Sequence, residues 1–301
     1  MPTAVRRLVD LHTHSTASDG RVSPTELMGL ADAAGLAAVA LTDHDTVAGL
    51  AEAAQAAQAF PQLRFIPGIE VSVHPQQGTM HILGLGIDPA CPALLEMAAS
   101  FLRGRRSRNP RIVEKLNALG LGISMADVFA VAGVEASDEA SAVVGRLHVA
   151  EALRRKGFVQ TTTEAFERYL ARGKSAYVER ARLGAARAID AIHAAGGLAL
   201  AAHPSQWGCE NFAQLEKVLR DLMTAGIDGL EAYHSDHSTF LTRHLLDLAA
   251  RFNLAVVGGS DFHGSAKPGV SLGVPRVPLA GVLSARTRRL FGPMGGPADR
   301  D

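Results

Sequence analysis

Cysteine is almost missing from this chain of 301 residues. Cys91 and Cys209 each stand without a nearby partner, which excludes a disulfide framework and a cysteine-built zinc site. Net charge is missing too: 30 Lys and Arg balance 30 Asp and Glu. That excludes stable duplex DNA binding through nonspecific phosphate contacts, though not a local basic pocket. No apolar run is long enough to cross a bilayer, and the opening "MPTAVRRLVD" has arginines but no apolar signal region. A reducing cytoplasm is the expected compartment, with no membrane partner. Repeats are absent, as is low complexity beyond an alanine-rich second helix.

What is present is a regular alternation. Apolar residues make up 47% of the chain and charged ones 20%, ample for one large α/β domain or two ordinary ones. "VRRLVDLH", "LAAVALTD", "LRFIPGIEVSV", "TMHILGLGI", "GLALAAH", "IDGLEAYH" and "LAVVGGSD" read as seven strands. Helical patterns lie between most of them. In "SPTELMGLADAAG", Ser23 is the N-cap, Pro24 sits at N1, Glu26 closes a capping box and Gly35 stops the helix. Thr46 is the expected cap of the next helix. Seven such units predict a largely parallel sheet closed, or nearly closed, into an α/β barrel.

The alternation breaks between about Cys91 and Leu183, where the chain reads as helical and arginine-rich. The expected organisation is a barrel from residues 1–98 and 184–301, with a mainly helical insertion, residues 99–183, capping its mouth. The tail "FGPMGGPADRD" reads as frayed.

Ligand-type side chains fall at strand ends. His12 and His14 are two apart, a spacing that puts both on one strand face. His44 closes the second strand, Glu70 lies in the third, His81 begins the fourth and His203 ends the fifth. Asp261 and His263 end the seventh, and Asp19 hangs in the first loop. In a parallel barrel all strand ends meet on one face, so distant segments would deliver nine imidazoles and carboxylates to one cleft. Nitrogen and oxygen donors without thiolate suit zinc, manganese or iron, and nine exceed the needs of one ion. His193 and His244, inside helices, and His74, in a loop, read as surface or packing residues.

The ordered set "DLHTHSTASDG", "LTDHDT", "GIEVS", "HILG", "AAHP" and "GSDFH" resembles the PHP (polymerase and histidinol phosphatase) family. The resemblance implies a distorted (β/α)7 TIM-like barrel holding three divalent metals. One ion would take His12, His14, Glu70 and Asp261. A second would share Glu70 and add His81 and His203, and the third would take Asp19, His44 and His263. Several relatives carry histidine at the position of Asp19; the carboxylate here hardens that site and favours manganese over zinc, with iron a further candidate. Within the family, the insertion and the "SDG" after the paired histidines resemble bacterial members acting on nucleotides. Those remove the 3′-phosphate of nucleoside 3′,5′-bisphosphates such as pAp, and some trim short single-stranded RNA from its 5′ end.

The implied reaction is attack of a metal-bound hydroxide on phosphorus, with His234 as an acid or leaving-group contact. Asp10, Asp45 and Glu231 are candidates to orient imidazoles. The insertion offers anion-binding residues in "FLRGRRSRNPR", "GRLH" and "GKSAYVER". Arg106, Ser107, Asn109, Arg146, His148, Lys174 and Arg180 are the expected substrate contacts, with Tyr177 placed to stack on a base. Three other functions fit less well. A histidinol-phosphate phosphatase acts on a cationic substrate, which makes a dense arginine clamp hard to justify. A metal amidohydrolase commonly uses a carboxylated strand lysine, and Lys115, Lys156, Lys174, Lys217 and Lys267 lie outside the expected strands. A non-catalytic metal module would have no reason to keep a full ligand set.

Overall fold

Eight strands form one sheet in the computed structural model, which describes residues 7–74, 78–134, 143–179 and 183–292. They are β1 (Leu8–Asp10), β2 (Ala38–Leu41), β3 (Arg64–Ser72), β4 (His81–Leu85), β5 (Leu198–Ala201), β6 (Gly229–His234), β7 (Ala255–Gly259) and β8 (Val277–Pro278). Their order is β7-β6-β5-β4-β3-β2-β1-β8. All seven expected strands occur, and the short β8, which the sequence reading did not anticipate, pairs antiparallel with β1.

The sheet is not parallel throughout. β4 runs antiparallel to both β3 and β5. The reversal carries the site: His81 begins β4, and in an antiparallel strand the first residue lies at the rim where parallel strands end. The sheet then nearly closes into a barrel beyond β1. Leu11 N donates to Gly258 O at 3.0 Å, Asp261 N to His12 O at 2.9 Å, and Thr13 bridges Phe262 in parallel. Gly259 permits this approach, since a Cβ there would lie 2.4 Å from His12 N.

Helices cover the barrel: α1 (Pro24–Ala33) and α2 (Leu50–Ala57) in the first half. The Ser23–Glu26 capping box opens α1 as its sequence requires, and Gly35 ends it with φ +69°. Thr46 does not cap α2. Its hydroxyl accepts from Ala48 N in a turn, and the helix begins four residues later behind Gly49.

Alternate strand residues divide two cores. Val39, Leu41, Ile69, Val71 and Ile82 pack with helix residues such as Leu27 and Met28. Ala38, Ala40, Ile66, Leu83, Leu85 and Leu200 form a cluster of their own.

Between β4 and β5 come α3 (Pro92–Ala118), α4 (Met125–Ala132), α5 (Arg146–Arg155), α6 (Thr162–Ala165) and a π-helical turn, Phe166–Leu170. No strand occurs there among the described residues. Helix α3 runs straight through residues 98 and 99. Its Leu94, Met97 and Phe101 join the barrel core, while Ile112, Val113 and Leu116 join a third cluster with Val128, Val149, Leu153 and Leu170. The barrel resumes with α7 (Ala185–Ala194), α8 (Phe212–Thr224) and α9 (Thr239–Phe252). Among the described residues no helix is long and apolar enough to cross a membrane.

Candidate metal centre

Glu70 shares the inner face of β3 with Ile66, two pleats nearer the rim. Its side chain is buried, and imidazoles surround it. Oε1 is 2.7 Å from both His81 Nδ1 and His203 Nε2. Oε2 is 2.8 Å from His44 Nδ1, 3.3 Å from His14 Nε2 and 3.4 Å from His12 Nε2. Five imidazoles from four chain segments thus meet one carboxylate.

Two other carboxylates extend the cluster. Asp261 Oδ1 lies 3.1 Å from His14 Nε2 and 3.5 Å from both His12 Nε2 and His263 Nδ1. Asp19 lies 3.3 Å from His263 Nε2 and 3.8 Å from His44 Nε2. All nine residues expected as ligands therefore line one cleft. His12, His14, Glu70 and Asp261 form one group whose donor atoms could share an ion, as do His14, Asp19, His44 and His263, and His44, Glu70 and His81. His203 joins the last through Glu70. The backbone is strained at two of these positions, with φ +29° at His203 and +57° at Asp261, where residues other than glycine seldom sit.

The charge balance calls for cations. Burial would raise the Glu70 carboxyl, but His44, His81 and His12 hold it well below its ordinary value. Asp261 is held low against burial by His263 and His12, and Asp19 by His44 and His263. The imidazoles split. Burial disfavours the charged form of His44, yet Glu70 and Asp19 raise it to about 10. His81 falls to about 4, because burial, His44 and His203 outweigh its attraction to Glu70. Two buried carboxylates and the half-buried Asp19 are thus balanced by protons on some imidazoles and not others, a role that divalent ions fill better.

The donor set fits such ions. His12 Nε2, both ring nitrogens of His14, His44 Nδ1, Glu70 Oε2 and His203 Nδ1 are buried without a hydrogen-bond partner, a cost only ligands of another kind would offset.

Around this cluster, Glu231 accepts from His12 Nδ1 at 3.0 Å and from His203 N at 2.8 Å, fixing one imidazole and one strained backbone. Asp10 serves the backbone instead, accepting from Ser260 N and Gly273 N at 2.8 Å. Asp45 accepts from Ser72 N at 2.7 Å and Ser72 Oγ at 3.0 Å. Neither carboxylate is seen on an imidazole in these bonds. His234 is buried at the end of β6, its Nε2 3.5 Å from Asp261 Oδ2.

The insertion residues are less uniform. Arg106 and Ser107 are exposed on α3, and Lys174 is exposed in a turn. Asn109 is buried, bonded to Val144 O and to Arg108. His148 closes the first turn of α5 by accepting from Gly145 N at 3.1 Å. Arg146 donates to Leu170 O and lies over the rings of Phe166 and Tyr177, each at 5.6 Å. These three share a cleft with His74, Thr79 and Arg172. Arg180 lies outside the described residues. One arginine was undervalued by the sequence reading: Arg105, not Arg106, turns to the barrel and pairs with Asp45. Helical phase could have flagged it, since Arg105 and Arg108 share a face with Phe101 and Ile112.

Comparison with known proteins agrees with this geometry. The PHP domain model matches residues 10–179. The 3′,5′-nucleoside bisphosphate phosphatase of Chromobacterium violaceum is 37% identical over 88% of this chain and 90% of its own length. The 5′-3′ exoribonuclease of Haemophilus influenzae is 37% identical over 84% and 89%. Among solved structures, a metal-dependent phosphoesterase from Bifidobacterium adolescentis superposes with a TM-score of 0.80 at 30% identity, covering 97% of this chain and 96% of that one. An amidohydrolase from C. violaceum with bound sulfate and no metal gives 0.79 at 34% identity, covering 94% and 95%.

Proposed function

This chain belongs to the PHP domain family of phosphoesterases, and from that premise we propose that it removes the 3′-phosphate of nucleoside 3′,5′-bisphosphates, converting pAp to AMP, and trims short RNA from the 5′ end. The single observation carrying this reading is Glu70 in contact with five imidazoles, flanked by Asp19 and Asp261.

In this reading three divalent ions, manganese preferred, are held by the nine ligands: His12, His14, Glu70 and Asp261; Glu70, His81 and His203; Asp19, His44 and His263. Such ions, when bound, acidify water and neutralise charge on phosphoryl oxygens. Glu70 belongs to two of these groups and would contribute a carboxylate oxygen to each. Glu231 keeps the His12 proton on Nδ1 and leaves Nε2 as a donor. His234 supplies a ring nitrogen beside Asp261 for a phosphoryl oxygen. The helical insertion caps the cleft, with Arg146 gripping the second phosphate and Tyr177 stacking on the base. Arg172, exposed beside them, adds a second guanidinium.

Screening manganese-loaded protein against pAp, histidinol phosphate and a short 5′-phosphorylated RNA tests the proposal. Preferred turnover of pAp is expected. Preference for histidinol phosphate would overturn the substrate assignment and keep the phosphatase chemistry.

A further inference from the structure

His234 Nε2 is buried and without a hydrogen-bond partner. It is aimed at one atom, Asp261 Oδ2, 3.5 Å away. A second donor converges on that same oxygen: Lys267 Nζ, at 2.9 Å. Lys267 follows the short 3-10 turn Gly264–Ala266 after β7, and its side chain is 29% exposed. Its ammonium also lies 3.6 Å from Asp236 Oδ2, on the loop after β6. Asp236 in turn accepts from Gln206 Nε2 at 3.0 Å, and its backbone N donates to His234 Nδ1 at 3.0 Å.

The arrangement holds a lysine where a flexible side chain would otherwise roam. Two carboxylates from different loops fix the ammonium at the edge of the ligand cluster, on the same Asp261 oxygen that His234 Nε2 approaches. An ammonium has three donors, and these contacts direct it to two carboxylates. A cation drawing on Asp261 would weaken the hold of that carboxylate on Lys267 and free the ammonium for another anion.

We propose that Lys267 is a substrate-contacting residue: with His234 it forms a donor pair that grips a non-bridging oxygen of the phosphoryl group. The inference rests on the phosphoesterase reading above. It adds to the metal ligands one fixed positive charge, supplied by the protein from the loop after β7. No bond is made or broken by this pair. Its contribution is binding of charge that the phosphoryl group carries in both ground and transition states.

The probes are inorganic phosphate and vanadate, titrated into the manganese-loaded full-length protein, with metal content measured on the same samples. Lys267→Met is expected to keep its metal content and to bind both anions at least about tenfold more weakly, with Lys267→Arg recovering most of the loss. Anion affinity within twofold of the parent at equal metal content would overturn the proposal. So would a variant whose only defect is metal loss, its anion affinity returning to the parent value at saturating manganese. These readouts need no turnover. If the parent binds neither metal nor phosphate, the phosphoesterase reading itself fails; if the parent binds both and Lys267→Met does too, only the lysine's role falls.

Discussion

Arg105 Nη2 lies 2.5 Å from Asp45 Oδ2, joining helix α3 to the rim above β2 through a pair that is nearly shielded from water. Removing one partner of such a pair leaves an uncompensated charge. Arg105→Ala is therefore expected to cost about 3 kcal/mol, seen as a clear drop in denaturation midpoint. Arg105→Met combined with Asp45→Asn should cost less than Arg105→Ala, because Asn can still accept from Ser72 N. Equal loss in both would show that the ion pair contributes nothing beyond packing.

Glu70→Ala removes the carboxylate common to five imidazoles. Metal content and phosphatase activity should fall together, the latter by at least about a hundredfold. Elemental analysis of the purified variant checks the first, and full activity with intact metal content would defeat the shared-ligand role.

Glu231→Gln keeps the shape of the side chain but loses the charge that fixes the proton of His12. Manganese affinity should weaken by about ten- to a hundredfold with little change in fold, read by competition with a chelator. Affinity equal to the parent would reduce Glu231 to a packing residue.

The insertion arginines should differ. Arg146→Ala is expected to raise the KM for pAp far more than that for p-nitrophenyl phosphate if, as proposed, the nucleotide occupies the cleft of Arg146, Phe166 and Tyr177. Arg106→Ala, on an exposed stretch of α3, should leave both nearly unchanged. Equal effects of Arg146→Ala on both substrates would remove the nucleotide clamp.

Acid should loosen the insertion through His148. Burial holds its imidazole down at about 4 from the ordinary 6.5; Asp19 opposes this, while Arg21 and Arg105 add to it. The unfolded chain therefore takes up a proton first. Stability is fully present above pH 6.5 and is lost as pH falls toward about 4, by up to about 3 kcal/mol. Denaturant titrations of the parent and His148→Asn between about pH 8 and about pH 4 compare the slopes. The variant should lose less stability over that range, and parallel slopes would acquit His148.

Much of the barrel was legible because its signals are local. Alternating apolar runs, the Ser23–Glu26 box and Gly35 act within a few residues, and the structure follows them. The reversal of β4 was not legible, since strand direction depends on partners far away in the chain. Its consequence was nonetheless visible in His81, the one ligand-type residue that begins a strand instead of ending it. The gathering of the nine side chains followed from placing strand ends on one rim. Arg105 and Lys267 were harder to read. Their roles depend on which way a long side chain turns, and an arginine-rich helix or a glycine-flanked loop leaves that open until neighbours such as Asp45 and Asp261 decide it.

Helix α3 contributes apolar residues at its start to one core and at its end to another. A transplant of the insertion from a relative would therefore have to leave the stretch through Phe101 with the host and begin the foreign segment beyond it. A splice nearer β4 would strip Leu94, Met97 and Phe101 from the host and open a gap under α7. Exchanging this segment becomes a matter of cutting inside a helix, in phase, instead of at a loop.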